Sequence, residues 1–444
     1  MRKYEYYHDY SKCMLMKMFM AKPDLKNGGS IVYIDIEKAL DIIRKIDNIT
    51  QGQKKIIYLV GWQYDGHDDK FPDVFEVNKA LKRQQDETAL ESLLWLIKES
   101  KKYHTVVSLH VNFNDAYEDS PCFSDLVSKK ALIRDKNGNP LPIEKYNNKD
   151  CYKVSFKEDW ESGMFQERMR NFFDMLPIKE MGTIHVDNFR VYNNFSPAVS
   201  TEEQIEYRNK MIDFVHELGA DITTEYTYRE GGKGKDGFCV HEKKYPNHCL
   251  GRIPAAWWCS QLSDQELIEI LPTEYTGLIN DSNTKYFLYG PMHGEDIWLD
   301  NGIDDAVWVP IFIERYATQQ VPNDYLNLYK RKAICGIGLT KRCKFSDGVV
   351  SYLYNRKIRK KGVLLKEKNT LCLPLFWLDN TYFLYSDSNS YKKFRFTDIK
   401  NANAKLYKVT PQGNTFVKDV AINQGIGEIQ VSPKTAYVLK ILDC

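Results

Sequence analysis

The sequence predicts an α/β protein: a (β/α)8 TIM-like barrel followed by a C-terminal antiparallel β-sandwich domain. Buried-strand and amphipathic-helix patterns alternate from residue 31 to residue 314, which is typical of a parallel sheet with crossover helices. The number of repeats favours a closed barrel over an open sheet. After about residue 345, helical periodicity gives way to short strands and turns. We therefore expect two domains, residues 1–345 and 346–444.

The first third of the chain predicts strand, helix, strand, helix and strand in turn. Residues 31–35 have the composition of a short strand, and residues 36–47 repeat apolar side chains at helical spacing. The continuous apolar run at 54–62 is typical of a strand buried on both faces. Residues 87–101 carry an apolar helical stripe, and residues 105–113 predict the next strand.

The middle of the chain continues this alternation. Residues 158–176 repeat aromatic and aliphatic side chains along one helical face, and residues 183–189 form the next strand pattern. The helix that follows begins with a capping box at Ser200 and Glu203 and ends near Gly219. Four further strand patterns complete the expected barrel: residues 220–228, 252–260, 285–291 and 306–314.

Two carboxylates follow consecutive strand patterns at matching positions, Asp187 after residues 183–186 and Glu225 after residues 221–224. Neighbouring strands lie about 5 Å apart, so the two side chains can face one another at one end of the sheet. Glycoside hydrolysis uses such a pair: one carboxylate attacks or stabilises the anomeric centre, and the other protonates the leaving oxygen. The alternative is structural, with each carboxylate capping a helix or pairing with a lysine.

Composition excludes some partners. The hydrophobic fraction of 43% and the charged fraction of 27% are ordinary for a globular protein, and the net charge of +2 offers no strong field for nucleic acid or an anionic membrane. No apolar run is long enough to span a bilayer. The apolar stretch Met14–Met20 is broken by Lys17, so we interpret it as part of the fold and not as a signal peptide.

The cysteines predict a compartment and raise one question about metals. The 10 cysteines are scattered, which favours reduced thiols and a cytoplasmic protein, unless an export signal precedes the sequence. The segment CVHEKKYPNHC gathers Cys239, His241, His248 and Cys249. Its spacing matches no common zinc pattern, and a loop over the pocket is the alternative. We expect no metal and no cofactor, and leave open whether this group binds an ion.

Three motifs in order carry a resemblance to a known family. They are GWQYDGHDDKFPD at residues 61–73, LHVNFND at residues 109–115, and IHVDNF at residues 184–189 with TEY at residues 224–226. This set resembles the endo-α-N-acetylgalactosaminidases, glycoside hydrolase family 101, and the related family 129. In those enzymes a barrel strand leads into a Gly-His-Asp segment, and a later strand carries His-Val-Asn. The resemblance covers about residues 30 to 315.

The resemblance implies a retaining hydrolase that acts on α-linked N-acetylgalactosamine of Ser/Thr O-glycans, with a carbohydrate or glycopeptide substrate. It assigns the nucleophile to Asp187 and the acid/base to Glu225. Sequence position and the resemblance together suggest the following substrate-binding residues: Trp62, Gln63, His67, Asp68, His110, Asn112, Trp258, His293, Glu295 and Asp296. Trp257 and Trp298 are further candidates for stacking on a sugar ring.

Some positions depart from the family pattern. Trp62 stands where a tyrosine is usual, and Asp187 is followed by NFRVYNN in place of a glycine-containing turn. The chain is also shorter than typical family members. Two alternatives therefore stay open: hydrolysis of another α-galactoside or α-glucoside on the same barrel, and a non-catalytic carbohydrate-binding protein.

Overall fold

The computed structural model describes residues 5–227, 252–254, 256–259, 294 and 296–442. Within them the chain forms a six-stranded parallel sheet with helices packed on it and a twelve-stranded antiparallel sheet. Among the described helices, none combines the length and the apolar character needed to cross a lipid bilayer.

The parallel sheet holds the strands predicted around the two carboxylates. Its six strands are β1 (Met14–Phe19), β2 (Lys55–Val60), β3 (Thr105–Asn112), β4 (Thr183–Asp187), β5 (Asp221–Thr227) and β6 (Ala256–Cys259). Their order in the sheet follows their order along the chain, and each neighbouring pair runs parallel. Strand β2 is buried along its whole length, as its continuous apolar run predicts.

Helices surround this sheet, and four of the described ones begin after a residue whose side chain caps the first turn: Asp35, Thr88, Ser200 and Asp304. The helices are α1 (Ile36–Thr50), α2 (Ala89–Ser100), α3 (Phe123–Ser128), α4 (Phe156–Glu161), α5 (Met164–Met175), α6 (Ile178–Met181), α7 (Thr201–Leu218), α8 (Asp296–Leu299), α9 (Asp305–Arg315) and α10 (Val321–Asn327). The predicted capping box of Ser200 and Glu203 is confirmed. Gly219, at φ 116°, ends α7 in the left-handed conformation that favours glycine.

One predicted strand is wrong. Residues 306–314 lie in α9, which begins after Asp304, whose side chain accepts a hydrogen bond from the backbone N–H of Ala306. Trp308 and Phe312, four residues apart, are both buried on its inner face. A short continuous apolar run does not distinguish a buried strand from a buried helix, and the N-cap decides the matter here.

Other expectations hold in part. Residues 31–35 predict a strand, and Ser30–Val32 does pair, but antiparallel to Ala21–Pro23 and outside the parallel sheet. The helix expected over 158–176 is divided into α4 and α5 at Gly163, which has φ 81°. The strand expected at 285–291 lies outside the described residues.

The parallel sheet curls strongly. Lys17 of β1 contacts Glu225 of β5 with 2.5 Å between Nζ and Oε1, although three strands separate β1 from β5 in the sheet order. On a flat sheet those strands would lie about 19 Å apart, beyond the reach of a lysine side chain. The contact therefore requires that β1 and β5 face one another across the concave side of the sheet.

The antiparallel sheet begins at Arg331 and ends at Ile441. Its strands are β7 (Arg331–Cys335), β8 (Arg342–Phe345), β9 (Val349–Tyr352), β10 (Lys357–Lys360), β11 (Val363–Glu367), β12 (Thr370–Pro374), β13 (Thr381–Ser386), β14 (Ser390–Arg395), β15 (Ala402–Thr410), β16 (Gly413–Asn423), β17 (Ile426–Val431) and β18 (Thr435–Ile441). The antiparallel character expected after residue 345 is confirmed. The two-layer sandwich and the domain boundary at residue 345 stay predictions.

Both sheets contribute to one hydrophobic core. Leu371 and Leu373 of β12 join the large cluster that also contains residues of the parallel sheet, whereas Cys372 between them packs into a second, separate cluster. This alternation is what a strand between two apolar layers requires. On the surface, the Asn48 side chain of α1 donates a hydrogen bond to the carbonyl of Pro411, at 2.8 Å.

Candidate active site

The carboxyl ends of β3, β4 and β5 lie side by side, and polar residues occupy them. Asn112 of β3 pairs in register with Asp187 of β4. Val186 of β4 pairs with Thr224 of β5, so Glu225 follows at the level of Asp187. The two carboxylates therefore occupy neighbouring strand ends, as the strand pattern predicts.

Asp187 and Glu225 lie at neighbouring strand ends, where the charge of Glu225 acts on Asp187. Their side chains are 13% and 18% exposed, so both lie mostly out of solvent. Burial and then the charge of Glu225 raise the pKa of Asp187 well above its usual range. Burial alone would raise the pKa of Glu225 too, but the Lys17 ammonium and the hydrogen bonds it receives hold that pKa at about 2. These effects favour the protonated form of Asp187 and the ionised form of Glu225.

Lys17 is a site residue that sequence reasoning missed. It lies at the centre of β1, its side chain is 1% exposed, and its ammonium reaches Glu225. The signal in the sequence is a single lysine inside the apolar stretch Met14–Met20, a position that a buried strand rarely gives to a charge. We interpreted that lysine only as an interruption of a possible signal peptide.

Three histidines form a row beside the carboxyl pair. The ring centroids of His67 and His110 are 5.4 Å apart, and those of His110 and His185 are also 5.4 Å apart. Burial and then the charge of Lys17 lower the pKa of both His110 and His185 well below the usual value, so both rings are neutral. Both ring nitrogens of His110 are buried without a hydrogen-bond partner. His185 was also missed by sequence reasoning.

The Gly-His-Asp segment is held against the start of the chain by close backbone contact. A Cβ atom on Gly61 would come within 1.9 Å of the Ala21 carbonyl oxygen, and one on Gly66 within 2.6 Å of the same atom. Both glycines have positive φ angles, 74° and 129°. Only glycine fits these two positions, and they place His67 and Asp68 at the pocket.

Hydrogen bonds from outside the segment fix its backbone. The Asn147 side chain donates to the carbonyl oxygens of His67 and Asp68, at 3.1 and 3.2 Å. Gln63, expected to bind substrate, is fully buried and donates to the Gly66 carbonyl at 3.0 Å. In this conformation Gln63 supports the turn, whereas His67 and Asp68 border the pocket.

Two tryptophans expected at the pocket lie in the core. Trp62 is fully buried, stacks on Phe172 with 6.0 Å between ring centroids, and donates from Nε1 to the His110 carbonyl at 2.9 Å. Trp298 is 1% exposed and packs on Trp308. Neither ring offers a face to a sugar, so the expectation that they stack on substrate is corrected. Trp62 instead holds the backbone of His110 through the hydrogen bond from its Nε1.

Asn112 is fully buried at the end of β3. Its Oδ1 accepts hydrogen bonds from the backbone N–H groups of Asn114 and Asp115, both at 2.8 Å. Its Nδ2 has no partner. The carbonyl half of this amide therefore shapes the turn after β3, and the amino half is available to an acceptor.

Several predicted residues have no described side chain. Trp258 lies on β6 and pairs in register with Tyr226 of β5, and Asp296 is the first residue of α8. Trp257 also lies on β6. The remaining residues lie outside the described ones: Cys239, His241, His248, Cys249, His293 and Glu295.

The sequence profile of the family described as endo-α-N-acetylgalactosaminidase matches residues 27–250, half of the chain. The chain belongs to this family. The resemblance seen in the motifs is thereby confirmed, and it covers Asp187, Glu225 and the Gly-His-Asp segment. Lys17 precedes the matched region. Comparison with curated proteins gives no match.

Solved structures share the fold at low identity. The ligand-free α-N-acetylgalactosaminidase from Bifidobacterium bifidum superposes with a TM-score of 0.52 at 12% identity, over 78% of this chain and 57% of that one. An α-amylase from Geobacillus thermoleovorans, at 11% identity, is matched over 98% of this chain and 99% of that one, with a TM-score of 0.48. The chain thus spans a little over half the length of the bacterial α-N-acetylgalactosaminidase. At these identities the likeness concerns the fold alone.

Within the part of the chain that the structure describes, two groups of donors have the spacing that a metal ion needs. The donor atoms of His110, His185 and Glu225 lie within 4.8 Å of one another, as do those of His67, Asp68 and Asp187. In the first group the Lys17 ammonium already contacts Glu225, and a second cation there would be repelled. In the second group the raised pKa of Asp187 favours its protonated form. The donor set therefore disfavours a cation, and the expectation of no metal stays a prediction.

Proposed function

We propose that this chain is a retaining glycoside hydrolase that cleaves α-linked N-acetylgalactosamine from O-glycan-type substrates. The observation that carries the proposal is the position of two mostly buried carboxyl groups, Asp187 and Glu225, at neighbouring strand ends. Family membership supports the choice of sugar. We assign Asp187 as the nucleophile and Glu225 as the acid/base.

The proton has to move before bond cleavage. A nucleophile reacts as an anion and a general acid as a protonated carboxyl group, whereas the raised pKa of Asp187 and the lowered pKa of Glu225 favour the opposite distribution of the proton. Retaining enzymes separate the two carboxyl groups by roughly 5–5.5 Å. We infer that an entering sugar brings the pair to that separation and that the proton passes to Glu225, which frees Asp187 to attack the anomeric carbon.

In the second step the roles of Glu225 reverse. Having given its proton to the leaving oxygen, Glu225 takes one from water, and that water releases the sugar from Asp187 with net retention. We assign recognition of the sugar hydroxyls to His67, Asp68 and His110. The buried ring nitrogens of His110 lack hydrogen-bond partners. A ligand that forms hydrogen bonds with them offsets the cost of their desolvation.

We also propose that the parallel sheet closes into an eight-stranded barrel. The curl that brings β1 opposite β5 supports this, because a sheet of that curvature approaches closure. The likeness in fold to the bacterial α-N-acetylgalactosaminidase is consistent with it.

A panel of p-nitrophenyl α-glycosides tests the activity and the sugar. The proposal expects strong release of p-nitrophenol from the α-N-acetylgalactosaminide and weak release from the α-galactoside and α-glucoside. Preference for either of the latter would favour another α-glycosidase on the same scaffold. Sugar binding by calorimetry with no release from any substrate would favour a carbohydrate-binding protein.

Chemical rescue with azide tests the two roles separately. Azide added to Asp187→Gly attacks from the face that the nucleophile has left and should yield the β-glycosyl azide. Added to Glu225→Ala, it replaces water in the second step and should yield the α-glycosyl azide. The opposite pairing of products would exchange the two roles, and rescue of neither variant would remove the pair from the reaction.

A further inference from the structure

We propose that Lys17, on the first strand of the sheet, is a positioning residue that fixes the Glu225 carboxylate and sets the pH range over which Asp187 and Glu225 titrate. This inference rests on the proposed function for its meaning in catalysis. The geometry itself can be tested without turnover.

The lysine is built into the sheet. Strand β1 is buried along its length, and Lys17 pairs in register with Tyr58 of β2. Its ammonium spans the concave side of the sheet and lies 2.5 Å from Glu225 Oε1. A lysine that is 1% exposed on a strand buried along its whole length cannot move its charge into solvent without leaving the core.

Each member of this ion pair depends on the other. An isolated charge in a buried site is strongly unfavourable, and removing one partner leaves the other uncompensated. Lys17 therefore keeps Glu225 ionised, and Glu225 keeps Lys17 charged. Because the charge of Glu225 in turn acts on Asp187, the charge of Lys17 acts on the pair as a whole.

The other titratable groups facing the pair do not supply this positive charge. They come from the loop after β2, from β3 and from β4: His67, Asp68, His110 and His185. His110 and His185 are neutral because they are buried beside Lys17, and Asp68 adds negative charge. Without Lys17, burial and the acidic neighbours would favour protonation of both carboxyl groups.

The position of Lys17 in the chain adds to the inference. It stands before residue 27, where the match to the family profile begins. The charge that governs the pair thus comes from a segment that the profile does not include. A search for catalytic residues confined to the matched region would not find it.

Carbon-13 NMR tests the inference independently of turnover. The protein is labelled at the glutamate carboxyl carbon, the Glu225 resonance is assigned by its loss in Glu225→Gln, and its titration is followed in wild type and in Lys17→Met. We expect the midpoint in Lys17→Met to rise by at least about one pH unit, a tenfold change in proton affinity. Lys17→Gln, which keeps a hydrogen-bond donor without charge, should shift in the same direction.

Two variants serve as controls. Lys17→Arg keeps the charge and should return the midpoint toward that of wild type. Lys55→Met removes another buried lysine, one that pairs with Asp47 at 2.6 Å at the far end of the sheet, and should leave the Glu225 titration unchanged.

A pH profile of kcat/KM provides the second readout. Loss of the cation should move both limbs of the profile to higher pH, because the proton affinity of the whole pair rises. An unchanged titration in Lys17→Met, or a shift equally large in Lys55→Met, would overturn the inference while leaving the proposed function intact. Absence of hydrolysis in wild type would overturn the proposed function, and the NMR titration would still decide the role of Lys17.

Discussion

The two ends of the parallel sheet treat buried polar groups in opposite ways. At the amino end, Lys55 pairs with Asp47 at 2.6 Å, and the Tyr10 hydroxyl donates to Asp221 at 3.0 Å. At the carboxyl end, both ring nitrogens of His110 lack a hydrogen-bond partner.

The same strands therefore serve two purposes. Unpaired buried polar groups destabilise a fold, and they persist where function requires them. The amino end of the sheet contributes stability. The carboxyl end gives up stability to present groups to a ligand.

The largest expected effect comes from substitutions of the two carboxyl groups at the carboxyl end, Asp187 and Glu225. Asp187→Asn and Glu225→Gln should each lower kcat by about 10³-fold or more, since each removes a group that bonds to the reacting atoms or moves the proton. The melting temperature of Asp187→Asn should stay within a few degrees of wild type, because the amide keeps the shape of the side chain, whereas Glu225→Gln leaves the Lys17 charge uncompensated and should lower the melting temperature. Kinetics on the α-N-acetylgalactosaminide and calorimetry on the same preparations provide both measurements. Near-wild-type turnover in either variant would remove it from the mechanism.

The second prediction concerns pH and the amino end of the sheet. Asp324 is buried, accepts hydrogen bonds from the Gln53 and Gln320 side chains at 2.8 Å each, and burial raises its pKa to about 7 against this opposition. The folded state therefore binds a proton that the unfolded state releases near pH 4. The resulting stabilisation, about 4 kcal/mol, is complete below pH 4 and is lost as pH rises to 7.

Unfolding in urea from pH 4 to pH 8 measures this effect. Asp324→Asn should lose the part of the pH dependence of the free energy of unfolding that Asp324 contributes, and it should exceed wild type in stability at pH 8. Asp398→Asn, which removes an exposed carboxylate of the antiparallel sheet, should follow the wild-type curve. Parallel curves for wild type and Asp324→Asn would refute the assignment.

Local patterns predicted the elements better than the site. The capping box of Ser200 and Glu203 and the buried run of β2 depend on neighbouring residues, so the sequence displays them directly. A short apolar run has no periodicity that distinguishes a helix from a strand. The strand predicted at 306–314 is therefore wrong, and these residues form a helix.

The prediction of the site residues was incomplete for a different reason. The contact of Lys17 with Glu225 joins residues 208 positions apart, and it exists only because the sheet curls. A single sequence contains the lysine but not the curvature that brings it to the pair. Asp187 and His67 could be proposed as site residues because they belong to a family motif. Such a motif reflects which residues the fold brings together.

A third prediction sharpens the contrast within the carboxyl end itself. Trp62 lies at that end but belongs to the core, stacked on Phe172 and bonded to the His110 carbonyl. Trp62→Phe should lower the free energy of unfolding by about 2 kcal/mol through lost packing and a lost hydrogen bond. The KM for substrate should change little. A tenfold rise in KM with unchanged stability would restore Trp62 as a platform for the sugar.

The smallest expected effect comes from replacing one buried tyrosine by phenylalanine at each end of the parallel sheet. Tyr10→Phe removes a hydroxyl that donates to the buried Asp221 carboxylate, and it should lower the free energy of unfolding by about 1 kcal/mol. Tyr117→Phe removes a hydroxyl from an equally buried ring, and that hydroxyl has no hydrogen-bond partner among the described residues. That loss should stay below about 0.5 kcal/mol. Urea unfolding of the two variants at one pH compares the ends directly, and a larger loss for Tyr117→Phe would reverse the view that the amino end carries the stability.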